Sequence, residues 1–191
     1  MRLRGLAPQA KVYDLFAHRP DIYEPFTIFC EKLMRGSSAL TPGARELIGT
    51  FVSALNSCRY CHDVHAEAVR AYGIDPELIR ALRDDPATAP IEARYRPLLA
   101  LARRVTESAQ RVTDGDFEAC RAAGWDEGAI HDAVVVACLF NFMNRLVSAF
   151  DIEADAAYLA AAGPRLRDQG YAFSLVSATQ SVPKSTQEKQ S

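Results

Sequence analysis

Little in this chain of 191 residues marks it for a nucleic acid or a membrane. Its 22 Lys and Arg nearly balance 24 Asp and Glu, leaving a formal charge of -2. No basic stripe stands out and the aromatics are not interleaved with basic residues, so a nucleic-acid partner has no electrostatic footprint here. Long hydrophobic runs are also missing. The longest, Ala133 to Phe140, falls far short of the roughly 20 residues needed to cross a bilayer. The start, Met1-Arg2-Leu3-Arg4-Gly5-Leu6, carries charge but no apolar core of signal-peptide length. The expectation is a cytoplasmic protein, in a compartment where structural disulfides are rare. Cysteine is scarce, and the five present (Cys30, Cys58, Cys61, Cys120 and Cys138) are an odd count, which argues against a disulfide framework. Cys30, Cys120 and Cys138 lie in apolar stretches and read as small core residues. Strand signals are weak, and without a βαβ pattern a thioredoxin fold has no support.

What is present is helix. A hydrophobic fraction of 49% with 24% charged residues is that of an ordinary globular chain, long enough to bury a real core. Pro20 opens a helix towards Met34, closed by Gly36. Thr41-Pro42 starts another, with Thr41 as N-cap and Pro42 where its missing N–H costs nothing. Further helices are expected from about Cys58 to Tyr72, from Asp75-Pro76, over Glu92 to Ser108, after Thr113, and from Glu127 to about Phe150 behind the cap Asp126. One more spans Ala154 to Ala162, ended by Gly163-Pro164. The fold class is all-α, with one helical domain over 1–165 and a loosely held tail over 166–191, rich in Ser, Thr, Gln and Lys near its end.

One segment carries chemistry: Glu46, then Cys58-Arg59-Tyr60-Cys61-His62, then His65. Cysteines three apart on a helix lie on neighbouring turns, close enough to be joined after a small adjustment. His65, four residues beyond Cys61, shares its face. Fifteen residues of straight helix would hold Glu46 roughly 22 Å from Cys61, so the two meet only if the chain turns between them. Asn56-Ser57, poor in helix interiors and good as caps, offers that break. Cys58 would then fall in the first turn of a new helix, where the free N–H groups and the dipole favour a thiolate. A carboxylate and an imidazole beside two thiols make a proton relay. It serves peroxide reduction or disulfide exchange through thiolate, sulfenic acid and internal disulfide.

The pattern Glu-x11-Cys-x-x-Cys-x3-His closely resembles the alkylhydroperoxidase D (AhpD)-like branch of the carboxymuconolactone decarboxylase superfamily. The later stretch Asn141-Phe142-Met143-Asn144-Arg145-Leu146 resembles a segment of its peroxidase-related members. The resemblance covers roughly residues 15 to 155. It implies an all-helical bundle with the Cys-x-x-Cys at the start of a core helix, and a thiol-dependent peroxidase or disulfide reductase. Cys61 would be the peroxidatic thiol, Cys58 its disulfide partner, and Glu46 with His65 the relay. The helix N-terminus favours Cys58 as the more acidic thiol, whereas the relay and the resemblance favour Cys61 as the attacking one. The best-described members carry His immediately before the second cysteine, where this chain has Tyr60.

The implied partners are a hydroperoxide or disulfide substrate, an unidentified thiol reductant and further copies of the chain, with no cofactor. Rival readings are a non-redox decarboxylase, which does not call for a Cys-x-x-Cys pair, and an oligomeric interaction protein. Zinc on Cys58, Cys61 and His65 lacks the usual second ligand pair downstream. Cys58-Arg-Tyr-Cys61-His62 matches the c-type haem motif, but that attachment belongs to exported proteins. Asn141, Asn144 and Arg145 read as polar residues satisfying buried groups, such as Glu153 or Asp151, and Trp125 as an interhelix packing residue. Phe26, Ile28, Phe29, Leu33, Leu139, Phe140, Phe142 and Phe150 are more apolar side chains than one small helical core buries, which points to a homo-oligomer.

Overall fold

The computed structural model describes residues 2–85 and 87–172, and among them the regular elements are helices. They are α1 (Val12–His18), α2 (Pro20–Arg35), α3 (Pro42–Leu55), α4 (Arg59–Ala71) and α5 (Pro76–Asp84). After these come α6 (Tyr95–Ser108), a 3-10 turn (Ala109–Arg111), α7 (Asp114–Ala122), α8 (Glu127–Phe150) and α9 (Ala156–Gln169). The starts follow local chemistry. Thr41, Asp75 and Asp126 accept the N–H groups of Ala44, Glu77 and Ala129, satisfying donors that the first turn leaves free. Thr113 and Asp116 form a capping box on α7.

Two helices depart from the sequence reading. α1 was not expected. It is seven residues long and is held by burial of Val12, Leu15 and Phe16. α9 does not stop at Gly163-Pro164 but runs on to Gln169, past the boundary expected at 165. Gly163 is the point where α9 meets α4, since a Cβ there would stand 2.3 Å from the Glu67 carbonyl oxygen. Close backbone approach, with Ala162 and Leu166 buried beside it, outweighs the helix-breaking preference of the pair. Residues 173–191 of the expected tail lie outside the described residues.

The core has two lobes. One gathers Leu47, Ile48, Phe51, Val52, Leu98, Leu101, Ile130 and Val136 from α3, α6 and α8. The other gathers Val12, Phe16, Cys58, Cys61, Val64, Val147 and Leu166 from α1, α4, α8 and α9. α8 is long and apolar enough to cross a membrane by length and composition. Here it is the central helix shared by both lobes, with Ala133, Ala137, Phe140, Asn144 and Val147 buried along it. Arg45, 1% exposed, ties α2 to α3 by donating to the carbonyls of Leu33, Gly36 and Leu40. Cys30 and Cys120 are buried as expected, but Cys138 is exposed on α8. Its turn of the helix faces outward, so an apolar neighbourhood in sequence is not burial in space.

Candidate active site

The site lies where the two lobes meet, at the corner between α3 and α4. The chain breaks where the sequence offers a break, by a different device. Asn56 is a C-cap rather than an N-cap, and Ser57 takes the left-handed conformation at φ 54°. Ser57 N–H donates to Ala54 and Cys58 N–H to Ser53, the paired bonds that close a helix C-terminus with a residue of positive φ. Cys58 is therefore both the last residue of this closure and the N-cap of α4.

The turn brings Glu46 of α3 against His65 of α4. Glu46 is 1% exposed, and its Oε2 lies 2.7 Å from His65 Nδ1. Neither Arg45 nor Arg70 is tied to it: Arg45 donates to backbone carbonyls and Arg70 pairs with Glu67. The other carboxylate oxygen, Oε1, accepts a 2.5 Å hydrogen bond from the Tyr171 hydroxyl. With Nδ1–H donated to Glu46, the free lone pair of His65 is on Nε2, the atom able to take a proton from a thiol. The imidazole packs edge-on against Phe140 with centroids 4.6 Å apart. Phe140 reaches that position because residue 49 is glycine, where a Cβ would come within 2.2 Å of its ring.

Cys58 and Cys61 are 4% and 3% exposed and face different spaces. Cys61, His65 and Tyr171 line a cavity of about 60 Å³ walled by Phe16, Phe26, Leu139, Phe140 and Met143. Cys58 lines a separate, more polar cleft of about 410 Å³ with Arg59, Asp63, Ser148 and Glu153. Tyr60 borders both and its hydroxyl donates to the Tyr158 hydroxyl at 2.9 Å. The Cys61 thiol, donating to Cys58, holds Cys58 down at about 6 against the opposing pull of burial. The Cys61 N–H, the Ser148 hydroxyl and His65 add to the same effect. Cys61 is pushed well up, first as the donor to Cys58, then by burial and by the Cys58 charge, while Asn144 works the other way. A helix N-terminus and a neighbouring thiol thus favour Cys58 as the resting thiolate.

The structure brings all four expected residues, Glu46, Cys58, Cys61 and His65, to one corner. Asn141, Asn144 and Arg145 do not meet Glu153 or Asp151. Asn56 Nδ2 donates to Asn141 and Asn144, Asn144 donates to Ser53 at 3.0 Å, and Arg145 donates back to Asn141. This polar seam fixes the α3–α8 contact beneath the cysteines. Trp125 packs as expected, its Nε1–H donating to the Arg94 carbonyl. Tyr171 was missed. It is 125 residues from Glu46, in a stretch read as tail, and no local pattern announces it. Among the described residues no three His, Cys, Asp or Glu side chains converge as metal ligands would.

A family model described as the carboxymuconolactone decarboxylase family matches residues 20–90. Among solved structures, an uncharacterised peroxidase-related protein from Silicibacter sp. TM1040 is 33% identical, with a TM-score of 0.73 and 78% of each chain covered. An uncharacterised peroxidase-related protein from Ralstonia eutropha JMP134, described as an alkylhydroperoxidase AhpD core, is 28% identical. Its TM-score is 0.74, covering 84% of this chain and 83% of that one. A protein of unknown function from Agrobacterium tumefaciens, 23% identical at a TM-score of 0.65, shares the fold over 74% of this chain and 96% of its own. No curated protein matches the chain.

Proposed function

The chain belongs to the peroxidase-related branch of the AhpD-like, carboxymuconolactone decarboxylase superfamily, and from that membership we propose a thiol-dependent peroxidase or disulfide reductase with Cys58 and Cys61 as its redox pair. The observation that carries this reading is the 2.7 Å Glu46–His65 contact beside the cavity that holds Cys61. A buried carboxylate fixes the imidazole tautomer, and Nε2 is left to act as general base on a thiol.

The proposed reaction uses each group at the position described above. His65 takes the Cys61 proton, and the Cys61 thiolate attacks the O–O bond of a hydroperoxide held in the apolar cavity. That bond breaks, Cys61 becomes a sulfenic acid, and the leaving alkoxide takes the proton from His65 to depart as an alcohol. The Cys58 thiolate then attacks the Cys61 sulfur, the S–O bond breaks, and hydroxide leaves, taking a proton from solvent to become water. Two thiols have become one disulfide while the peroxide has gained two electrons. A thiol reductant returns the pair to the dithiol by exchange. The low proton affinity of Cys58 suits the second step, which needs a thiolate ready beside the sulfenic acid. The Cys-x-x-Cys pair at this corner favours redox work over decarboxylation, and the reading makes the protein an antioxidant oxidoreductase.

The test is thiol titration with and without one equivalent of hydrogen peroxide, in a Cys138→Ser background that removes the exposed thiol. Two thiols should be lost together, and peptide mapping should find Cys58 joined to Cys61 with Cys30 and Cys120 unchanged. Full retention of thiols, or a disulfide between another pair, rejects the assignment.

A further inference from the structure

The end of the described chain enters the site. α9 closes at Gln169, and Gly170 turns the backbone at φ 74° and ψ -151°, a conformation open essentially to glycine alone. A Cβ at Gly170 would also collide with the Glu31 carboxylate, 2.2 Å away. Glu31 Oε2 instead accepts the Tyr171 N–H at 2.7 Å, while its other oxygen pairs with Arg35 at 3.0 Å. Arg35 in turn donates to the Leu166 carbonyl at 2.8 Å. A pair of α2 side chains thus clamps the end of α9. The clamp aims the Tyr171 phenol inward, where its hydroxyl lies 2.5 Å from Glu46 Oε1 and 3.5 Å from His65 Nδ1.

We propose that Tyr171 is a positioning residue of the relay: its hydroxyl donates to Glu46 Oε1, and through that carboxylate it is coupled to the protonation of His65. The inference rests on the relay read above. Its physical basis is that both Glu46 oxygens accept, one from His65 and one from Tyr171, and a proton on Glu46 would weaken those bonds. Without a proton the pair is a buried anion; with one it is an ion pair or neutral. A hydrogen bond to the carboxylate therefore stabilises the unprotonated pair most, and its loss must raise the affinity for that proton. Burial and the Glu46 charge push the phenol well up, which keeps Tyr171 a neutral donor throughout.

Other titratable groups surround the pair. Cys58 and Cys61 share α4 with His65, Cys30 and Glu31 face it from α2, and Tyr13 from α1. Tyr72 follows α4 and Arg165 lines the cavity from α9, while α8 presents Leu139, Phe140 and Met143. Replacing Tyr171 by Phe leaves all of these in place, so a shift reports the lost hydrogen bond.

The readout is the His65 ring titration, followed by NMR on the full chain labelled at histidine nitrogen. In Tyr171→Phe the His65 midpoint should rise, because the hydrogen bond lost is stronger in the unprotonated pair than in the protonated one. A fluorinated tyrosine at 171, a stronger donor in the same shape, should move the midpoint down without risk to the fold. A midpoint that stays at the wild-type value in the fluorinated protein, or in a folded Phe variant, overturns the proposal. A purely structural role for Tyr171 would lower thiol reactivity at every pH and leave the midpoint in place. Because the probe is the imidazole, this result is independent of whether peroxide consumes the thiols, so the two readings fail separately.

Discussion

At Cys58 one residue finishes a helix and starts the next, and the chemistry of its sulfur follows from that double duty. Its N–H is spent on Ser53, closing α3, while its side chain stands at the open N-terminus of α4 among the unspent donors of the first turn. The Cys61 thiol, one turn on, donates to the same sulfur and lowers it to about 6. The sign is simple: a depressed value means that thiolate is present above about pH 6 and lost as pH falls through it. Ultraviolet thiolate absorbance of the reduced protein should therefore titrate near pH 6. In Cys61→Ala the main donor is gone, and the midpoint should climb back towards the ordinary thiol value of 9.0. A wild-type midpoint already near that ordinary value would place the resting thiolate elsewhere. Under the proposed reaction, the separate spaces of the two sulfurs, one apolar and one polar, would let oxidant and reductant approach the pair from different sides.

At the scale of elements, what could be read from the sequence was what neighbours in sequence decide. Thr41, Asp75 and Asp126 announce their helices because a cap acts over three residues. Asn56-Ser57 announces a corner, and with it the meeting of Glu46 and His65, though the same polar residues served as a C-terminal closure rather than an N-cap. α1, Gly163-Pro164 and Tyr171 were not legible, because contacts distant in sequence decide them. At Gly163 the α4 backbone is the obstacle, with the Glu67 carbonyl oxygen 2.3 Å from a would-be Cβ, and a carbonyl in a helix cannot step aside. Gly163→Ala should accordingly cost about 1–3 kcal/mol in urea unfolding, the usual range for overpacking. Gly128, near the start of α8, is the control: its would-be Cβ meets the Asp126 carboxylate at an ordinary 3.4 Å. Gly128→Ala should be neutral or stabilising, since alanine gains up to about 1 kcal/mol over glycine in a helix. Equal responses at the two positions would remove close approach as the reason for Gly163, and with it the account of why α9 runs on to present Tyr171.

For the whole molecule, the apolar excess in the sequence divides on folding. Leu33, Leu139 and Phe140 go into the core, whereas Ile22, Ile28, Phe29 and Phe142 remain 45% to 51% exposed. Three of these lie on α2 and the fourth on α8, and Phe26 joins them, with its ring 6.5 Å from Phe29 and 5.3 Å from Phe142. Phe26 also walls the cavity that holds Cys61 and His65. The exposed patch is thus the outer side of that cavity's wall, and covering it would shield the wall from water. Clustered large apolar side chains of this kind mark an association surface, and closed symmetry is the commonest way a soluble chain satisfies one. A homo-oligomer built on α2 and α8 is the expected state. Light scattering at micromolar concentration should give a multiple of 21.0 kDa, and Phe29→Glu with Phe142→Glu, charging both helices at the patch, should return the mass to 21.0 kDa. A wild-type protein of that monomer mass, unchanged on concentration, would remove the oligomer. It would leave the Phe26 wall facing solvent on its outer side, so that the cavity beside Cys61 would depend on this chain alone to stay apolar.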